Sequence, residues 1–397
     1  MRADLRVGVV GVGDRAAIAR HVEAAGVGAR VTAIADPSPD GVARGRVLFG
    51  NEVRAYGSHR ELAASGTVDA VVVASPDDTH ADVAADLLDA GIAVYLEKPL
   101  AITLEDADRV LGVAARTGTP LYVGHNYRSS AVVRILHDVV ARGEIGDVRA
   151  VWVRHFVGHG GDYYFRDWHA DRRRVNSLLL QKASHDLDVV HLLAGAATRR
   201  VVGMGALSVY GDVPRAASLP TGVMTDWFSE DHWPPTSLDG LAPTVDVEDV
   251  SMMMMSLANG VLASYEQCHF TPDYWRSYTV IGTEGRVENF GDTAGGVVRV
   301  WNRRRSWSHQ GDREYPIGGV VAGHADADEA TVVEFVRHVA LGEPVALSPV
   351  GAREAVGAAA LATASLRAGS VPLDVPEADP AVVAALDARA RGRIRAE

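Results

Sequence analysis

Of 39 basic residues only two are lysines, Lys98 and Lys182; the remaining 37 are arginines. Arginine stays charged near neutral pH, whereas a lysine in a protected site can give or take a proton. A composition that writes arginine for almost every cation therefore singles out two positions where an amine is wanted. Lys98 lies in Glu97-Lys98-Pro99, and Lys182 lies in Gln181-Lys182-Ala183-Ser184-His185. Proline after Lys98 fixes the backbone and projects the amine from a stiff turn. Lys98 and Lys182 are candidate acid–base residues, because an amine tuned near neutrality can take or give a proton. A structural ion pair between Lys98 and Glu97, and a histidine merely satisfied at a helix start, are the competing readings.

A second constellation suits a dinucleotide. Gly11-Val12-Gly13-Asp14-Arg15-Ala16 follows one strand-like run and opens a helix-like one. The two glycines allow a tight turn and close approach of backbone to a pyrophosphate, and Ala16 is small enough for helix–strand packing. The helix N-terminus supplies free N–H groups for the anion. Asp36 ends the next strand 20 residues after Ala16, where a carboxylate binds ribose hydroxyls. It accepts from a 2′-hydroxyl and repels a 2′-phosphate, so NAD is expected over NADP, with Arg44 or Arg46 the residues able to fold back. Ser75-Pro76-Asp77-Asp78-Thr79-His80 and Glu97-Lys98-Pro99 each follow a later strand. Ligands bind outside the carboxyl ends of such strands, so Ser75, Pro76, His80, Glu97 and Lys98 are expected to face the coenzyme.

The elements that must position these residues alternate. Residues 5–10, 31–35, 68–74, 92–96 and 120–123 read as strands, and 15–25, 82–90 and 104–116 as helices. That alternation predicts a doubly wound parallel sheet, a Rossmann domain over 1–125. Beyond it, residues 126–397 form an expected α/β domain: a helix at 130–142, a long alternating strand at 147–157, a helix at 184–193, and strands at 247–257, 261–270, 276–283, 285–290 and 297–302. These predict a large, mostly antiparallel open sheet. Residues 211–246 are proline-rich and read as a long loop, Met252–Met255 as core filler, and 327–340 and 353–368 as helices, the last able to pack back on the first domain. The net charge of −12 sets nucleic acid aside as a partner, and no apolar run reaches a membrane span. Cys268 is the sole cysteine, which leaves no intramolecular disulfide. Met1–Asp4 lead straight into a strand with no room for a signal peptide, so a soluble cytoplasmic protein is expected.

The glycine fingerprint, the Ser75–His80 turn and the Glu97-Lys98-Pro99 turn together resemble the glucose–fructose oxidoreductase/inositol dehydrogenase/rhizopine catabolism (Gfo/Idh/MocA) family. Gly124-His125-Asn126-Tyr127-Arg128 and His185-Asp186-Leu187-Asp188 extend the resemblance over nearly the whole chain. It implies hydride transfer between a nicotinamide and a secondary alcohol of a sugar, glycoside or cyclitol. It also implies Asn126 beside the coenzyme, Lys98 beside the reacting hydroxyl, His185 facing it, and an open sheet that mediates homodimers or homotetramers. One departure matters: where family members place an aspartate four residues before the histidine, this chain has Gln181, which cannot take a proton. Which of Lys98, Lys182 and His185 is the base stays open.

The segment from His155 to Gln181 is rich in aromatics and arginines. Tyr127, Arg128, His155, Arg166, Trp168, Arg172, Gln181, Lys182, His185 and Tyr274 are the expected substrate contacts. Aromatic faces suit a pyranose, and arginine forks suit carboxylate, sulfonate or phosphate; contact with a neighbouring subunit is the rival reading for this loop. An anionic glycoside such as a sulfosugar, handled by an NAD-dependent glycosidase through transient oxidation of carbon 3, is the alternative function. His155 and His159 lack metal-ligand spacing, and no metal is expected.

Overall fold

The computed structural model describes residues 4–319 and 325–392; Met1–Ala3 of the expected N-terminal run lie outside them. The chain divides into two compact units. The first comprises the chain up to His125, then Asp328–Val356 and the part from Ala378 onward; the second is Asn126–Ala327 with Gly357–Glu377. The C-terminal return to the first unit is thus made by 328–356 and the last helix, while 357–368, expected to pack back, belong to the second.

In the first unit, β1 (Arg6–Val10), β2 (Arg30–Ala35), β3 (Arg54–Tyr56), β4 (Ala70–Val73), β5 (Ala93–Leu96) and β6 (Leu121–Val123) form one parallel sheet ordered β3-β2-β1-β4-β5-β6. The strand order reverses between β1 and β4, which is where such sheets bind ligands. The central strands are buried throughout, as covering on both faces requires. The edge strand β3 is short, half exposed and carries Arg54, so periodicity does not reveal it. The helix Ala325–Leu341 docks here through Phe335, which meets Tyr95 edge-on at 5.7 Å beside the stacked pair Tyr95–Tyr122. The Tyr95 and Thr331 hydroxyls bond at 3.0 Å.

In the second unit, β7 (Val148–Val157), β8 (Thr198–Ala206), β9 (Val250–Leu257), β10 (Leu262–Cys268), β11 (Tyr274–Gly282), β12 (Arg286–Phe290), β13 (Val297–Trp301), β14 (Arg313–Pro316) and β15 (Leu373–Asp374) form a nine-stranded sheet. Its order is β14-β13-β12-β11-β7-β10-β9-β8-β15, antiparallel except at β7–β10. The helix Leu178–Ala194 packs on β7 and β10. It begins earlier than the expected residue 184, because the Ser177 hydroxyl caps it by accepting from Leu180 N at 3.0 Å. Gln181, Lys182 and His185 therefore share one continuous helix, and His185 lies well inside it rather than at its start.

Two other expectations change. Met252–Met255 is not uniformly core: Met253 and Met255 are buried while Met252 and Met254 face outward, because a strand alternates its faces. Residues 211–246 are a packed excursion, with Tyr210, Val213, Leu238 and Leu241 buried in one cluster with Phe165 and Val175.

Candidate active site

The coenzyme turn is built by backbone. Gly11 adopts φ +80, and a Cβ there would strike the Ser75 backbone, so glycine is required. Its N–H donates to Ala35 O at 3.0 Å, fixing the turn to β2. A Cβ on Gly13 would meet nothing within 4 Å, leaving open space over the turn, and Gly13 caps the tight helix Asp14–Ala25. Ala16 is fully buried. Asp36 accepts from Val12 N at 2.8 Å and Ser38 N at 2.9 Å, so the acid also braces the glycine turn. Gly41 is a residue sequence reasoning missed: a Cβ there would collide with the Asp36 carboxylate. Arg44 folds back toward the turn, its Nε donating to Val12 O at 2.8 Å. Backbone amides, open space and a placed carboxylate fit a dinucleotide.

The lysine turn is clamped from both sides. His80 spans the two turns, Nδ1 at 2.7 Å from Pro99 O and Nε2 at 2.9 Å from Ser75 O. Buried Glu97 accepts from Arg15 through Oε1 and from the Lys98 backbone N–H through Oε2, at 3.1 Å. Arg15 also grips Asp328 with two bonds of 2.8 and 3.0 Å. The Arg15 guanidinium is thus committed to two carboxylates, and Glu97 orients the backbone of Lys98.

In the second unit, buried Asp186 is the hub. Arg276 Nε lies 3.2 Å from Oδ1, His155 Nδ1 lies 3.5 Å from Oδ2, and the Tyr278 hydroxyl donates to Oδ1. Burial alone would raise this carboxyl, but the Arg276 charge and the His155 and Tyr278 hydrogen bonds outweigh it, bringing the pKa to about 2. Burial, reinforced by Arg276, pushes His155 down to about 3. One helical turn before Asp186, Lys182 Nζ bonds the Tyr164 hydroxyl and lies 4.0 Å from that ring's centroid. Tyr127 meets His185 edge-on at 6.3 Å, carries the Arg276 guanidinium 4.3 Å from its ring centroid, and donates to Asp292 at 3.1 Å. Gln181 and Asn126 are buried, and half-exposed Tyr274 stacks parallel on His159 at 5.9 Å.

The arginines expected at the substrate each pair with an acid. Arg128 makes a forked pair with Asp188 at 2.8 and 2.6 Å, Arg166 bonds Asp162 at 2.9 Å, and Arg172 pairs with Asp246 at 3.1 Å. Trp168 stacks on His169 at 3.7 Å. Arg276 and Asp186 are the buried charges at the heart of this cluster. Among the described residues, no group of three or more His, Cys, Asp or Glu could hold a metal.

A parallel doubly wound sheet with this turn, and a large mixed sheet carrying a buried cluster of charged and polar side chains, define a two-domain α/β protein with a dinucleotide-binding Rossmann half. The chain belongs to the Gfo/Idh/MocA oxidoreductase family: residues 5–125 match its NAD-binding Rossmann domain and 133–288 its C-terminal domain. It is 32% identical over 149 residues to the rhizopine catabolism protein MocA of Rhizobium meliloti, 37% of this chain and 45% of that one. It is 28% identical over 224 residues to the myo-inositol 2-dehydrogenase of Thermotoga maritima, 55% of this chain and 64% of that one. The chain spans about half the length of the curated relatives it matches. Levoglucosan dehydrogenase in complex with NADH and levoglucosan superimposes with a TM-score of 0.75 at 20% identity, over 94% of this chain and 100% of that one, a likeness of fold.

Asp36→Ala is expected to weaken NAD ~10–100-fold, the worth of a charge-assisted hydrogen bond, and NADP far less. Calorimetric titration with each coenzyme checks this; equal losses would show that Asp36 only braces the turn.

Proposed function

We propose that this chain is an NAD-dependent dehydrogenase acting on a secondary alcohol of a sugar, glycoside or cyclitol. The observation that carries the reading is the clamped Glu97-Lys98-Pro99 turn at the carboxyl end of β5 in an NAD-binding domain. When bound, the nicotinamide takes or gives the hydride. Gly11, Gly13 and Asp36 hold the dinucleotide, with Asn126, Ser75 and Pro76 beside it. Lys98 takes the hydroxyl proton and, as the ammonium, stabilises the developing alkoxide. His185 and Lys182, on the helix Leu178–Ala194, are the further candidates for proton transfer, and Gln181 does not titrate. The names of relatives that act on inositol and levoglucosan support this substrate class.

The second reading, a glycosidase with no net redox, is favoured by Lys182 on Tyr164 where Gln181 replaces an acid. There the ring is oxidised at carbon 3, the aglycone is eliminated, water adds and the hydride is returned. Incubation with NAD and a panel of sugars and aryl glycosides separates the two. NADH accumulates for the dehydrogenase; aglycone appears without net NADH for the glycosidase; neither outcome rejects both.

The chain also works as a homo-oligomer in this proposal. Trp152, Met204, Met252, Met254 and Leu262 project from one face of β7–β10 at 45–65% exposure, an apolar patch of the kind that marks association. Light scattering is expected to give a dimer or tetramer, and Met254→Asp to dissociate it. A monomeric parent would contradict this.

A further inference from the structure

Two residues at the end of β5 meet two on the helix Ala325–Leu341. Tyr95 and Glu97 are two apart along an extended run, so their side chains leave the same face of the sheet. Asp328 and Thr331 are three apart, so theirs share one face of the helix. The Tyr95 hydroxyl lies 3.0 Å from Thr331 Oγ1. Thr331 gives its own hydrogen to Asp328 O at 3.1 Å, so Tyr95 is the donor. Arg15 bridges the second pair. Its Nε and Nη2 donate to Glu97 Oε1 at 2.9 and 2.6 Å, and Nη1 and Nη2 donate to the Asp328 carboxylate at 3.0 and 2.8 Å. Tyr95, Glu97, Asp328 and Thr331 are all buried.

Arg15 and Glu97 already balance one another, so Asp328 is not needed to neutralise that pair. What it adds is geometry. A guanidinium is a planar fork, and holding its outer edge leaves the Nε edge aimed at Glu97 Oε1. The Glu97 carboxylate is then fixed with Oε2 placed to receive the Lys98 backbone N–H at 3.1 Å. The bond from Tyr95 to Thr331 ties down the strand just before this point, and Phe335, edge-on to the Tyr95 ring, seats the helix there. His80, bonded to Pro99 O, holds the turn after Lys98; the helix holds it before. Asp328 is 313 residues from Arg15 and Thr331 is 236 from Tyr95, so the returning chain completes a turn made far earlier.

We propose that Asp328 and Thr331 are positioning residues for the proton-transfer lysine: through Arg15 and Glu97 on one side and Tyr95 on the other, they set the path of the backbone from which Lys98 projects. The inference rests on the dehydrogenase reading of Lys98 and deepens it. Neither residue gives or takes a proton in the reaction. Their contribution is to hold the amine at one place, so that its proton transfer is not spread over many orientations of the turn.

The scarcity of lysine supplies a readout that needs no turnover. Protein labelled with 15N-lysine shows two backbone amides, and Lys98→Arg, which removes one, assigns them. In Asp328→Asn the Arg15–Glu97 pair remains, so the urea midpoint is expected to stay near the parent's while the Lys98 amide signal moves and its hydrogen exchange quickens. With NAD and a sugar that the parent oxidises, kcat is expected to fall ~10–100-fold, the cost of a small misplacement at a reacting group, with KM and the Kd for NAD within ~3-fold of the parent. Asp328→Glu, which keeps the carboxylate, returns most of the loss; Thr331→Val lowers kcat in the same way, and Thr331→Ser, which keeps the hydroxyl, does not. A Lys98 amide unmoved by Asp328→Asn, an unchanged kcat, or a fall in kcat matched by equal losses of NAD binding or stability would overturn the proposal while leaving the dehydrogenase reading intact. If the parent turns over no sugar, that reading fails instead, and the amide alone decides whether the helix positions Lys98: a moved signal supports it and an unmoved one refutes it.

Discussion

Lys98→Arg is expected to lower kcat by ~1,000-fold or more while leaving the Kd for NAD nearly unchanged. Arginine keeps the positive charge, so an interaction needing only a cation survives. What is lost is the proton, because a guanidinium does not release one near neutrality. The Glu97 carboxylate stays bound to Arg15 and to the backbone N–H of residue 98, so the turn keeps its path. Single-turnover kinetics and calorimetry with NAD separate the two effects. Activity within a few-fold of the parent would remove Lys98 from proton transfer, and a parallel loss of NAD binding would assign it a purely structural part.

The second large effect concerns stability. Asp186→Asn keeps the shape that receives the Tyr278 hydroxyl but removes the charge opposite Arg276, whose guanidinium is wholly buried. Breaking one partner of such a pair costs ~3–5 kcal/mol, because the other charge stays buried without compensation. The pH dependence carries the sign. Asp186 is depressed to about 2 in the fold, below an ordinary aspartate near ~3.9 in the unfolded chain. Its contribution is complete above pH ~4 and is lost as pH falls toward 2. Urea unfolding of parent and variant should therefore differ most near neutrality and converge in that acid window. A constant difference across it would show that lost hydrogen bonding, and not lost charge, destabilises the variant.

The residues that are legible in sequence are those whose role is local. Gly11, Gly13 and Ala16 act through the backbone of their own turn, and Asp36 ends its own strand, so spacing along the chain is spacing in the site. The alternating strands are legible for the same reason. What escapes is what depends on a distant partner. Arg15 reads as a coenzyme contact from its place in the fingerprint, yet its guanidinium meets Glu97 and Asp328, the latter 313 residues away. Arg172 reads as a ligand fork, and its pairing with Asp246, 74 residues away, cannot be read from spacing. The ion pair that buried Asp186 makes with Arg276 emerges only once β11 and the helix Leu178–Ala194 are packed together. Gly41 carries no motif, and only the Asp36 carboxylate beside it explains it.

The most direct test of the central claim follows the hydride itself. The protein is mixed with NAD and a sugar deuterated at its ring carbons, and the coenzyme is analysed by mass spectrometry. One deuterium carried into the reduced nicotinamide, absent in Lys98→Arg, is the predicted result. A coenzyme that never acquires deuterium from any sugar in the panel would contradict the account.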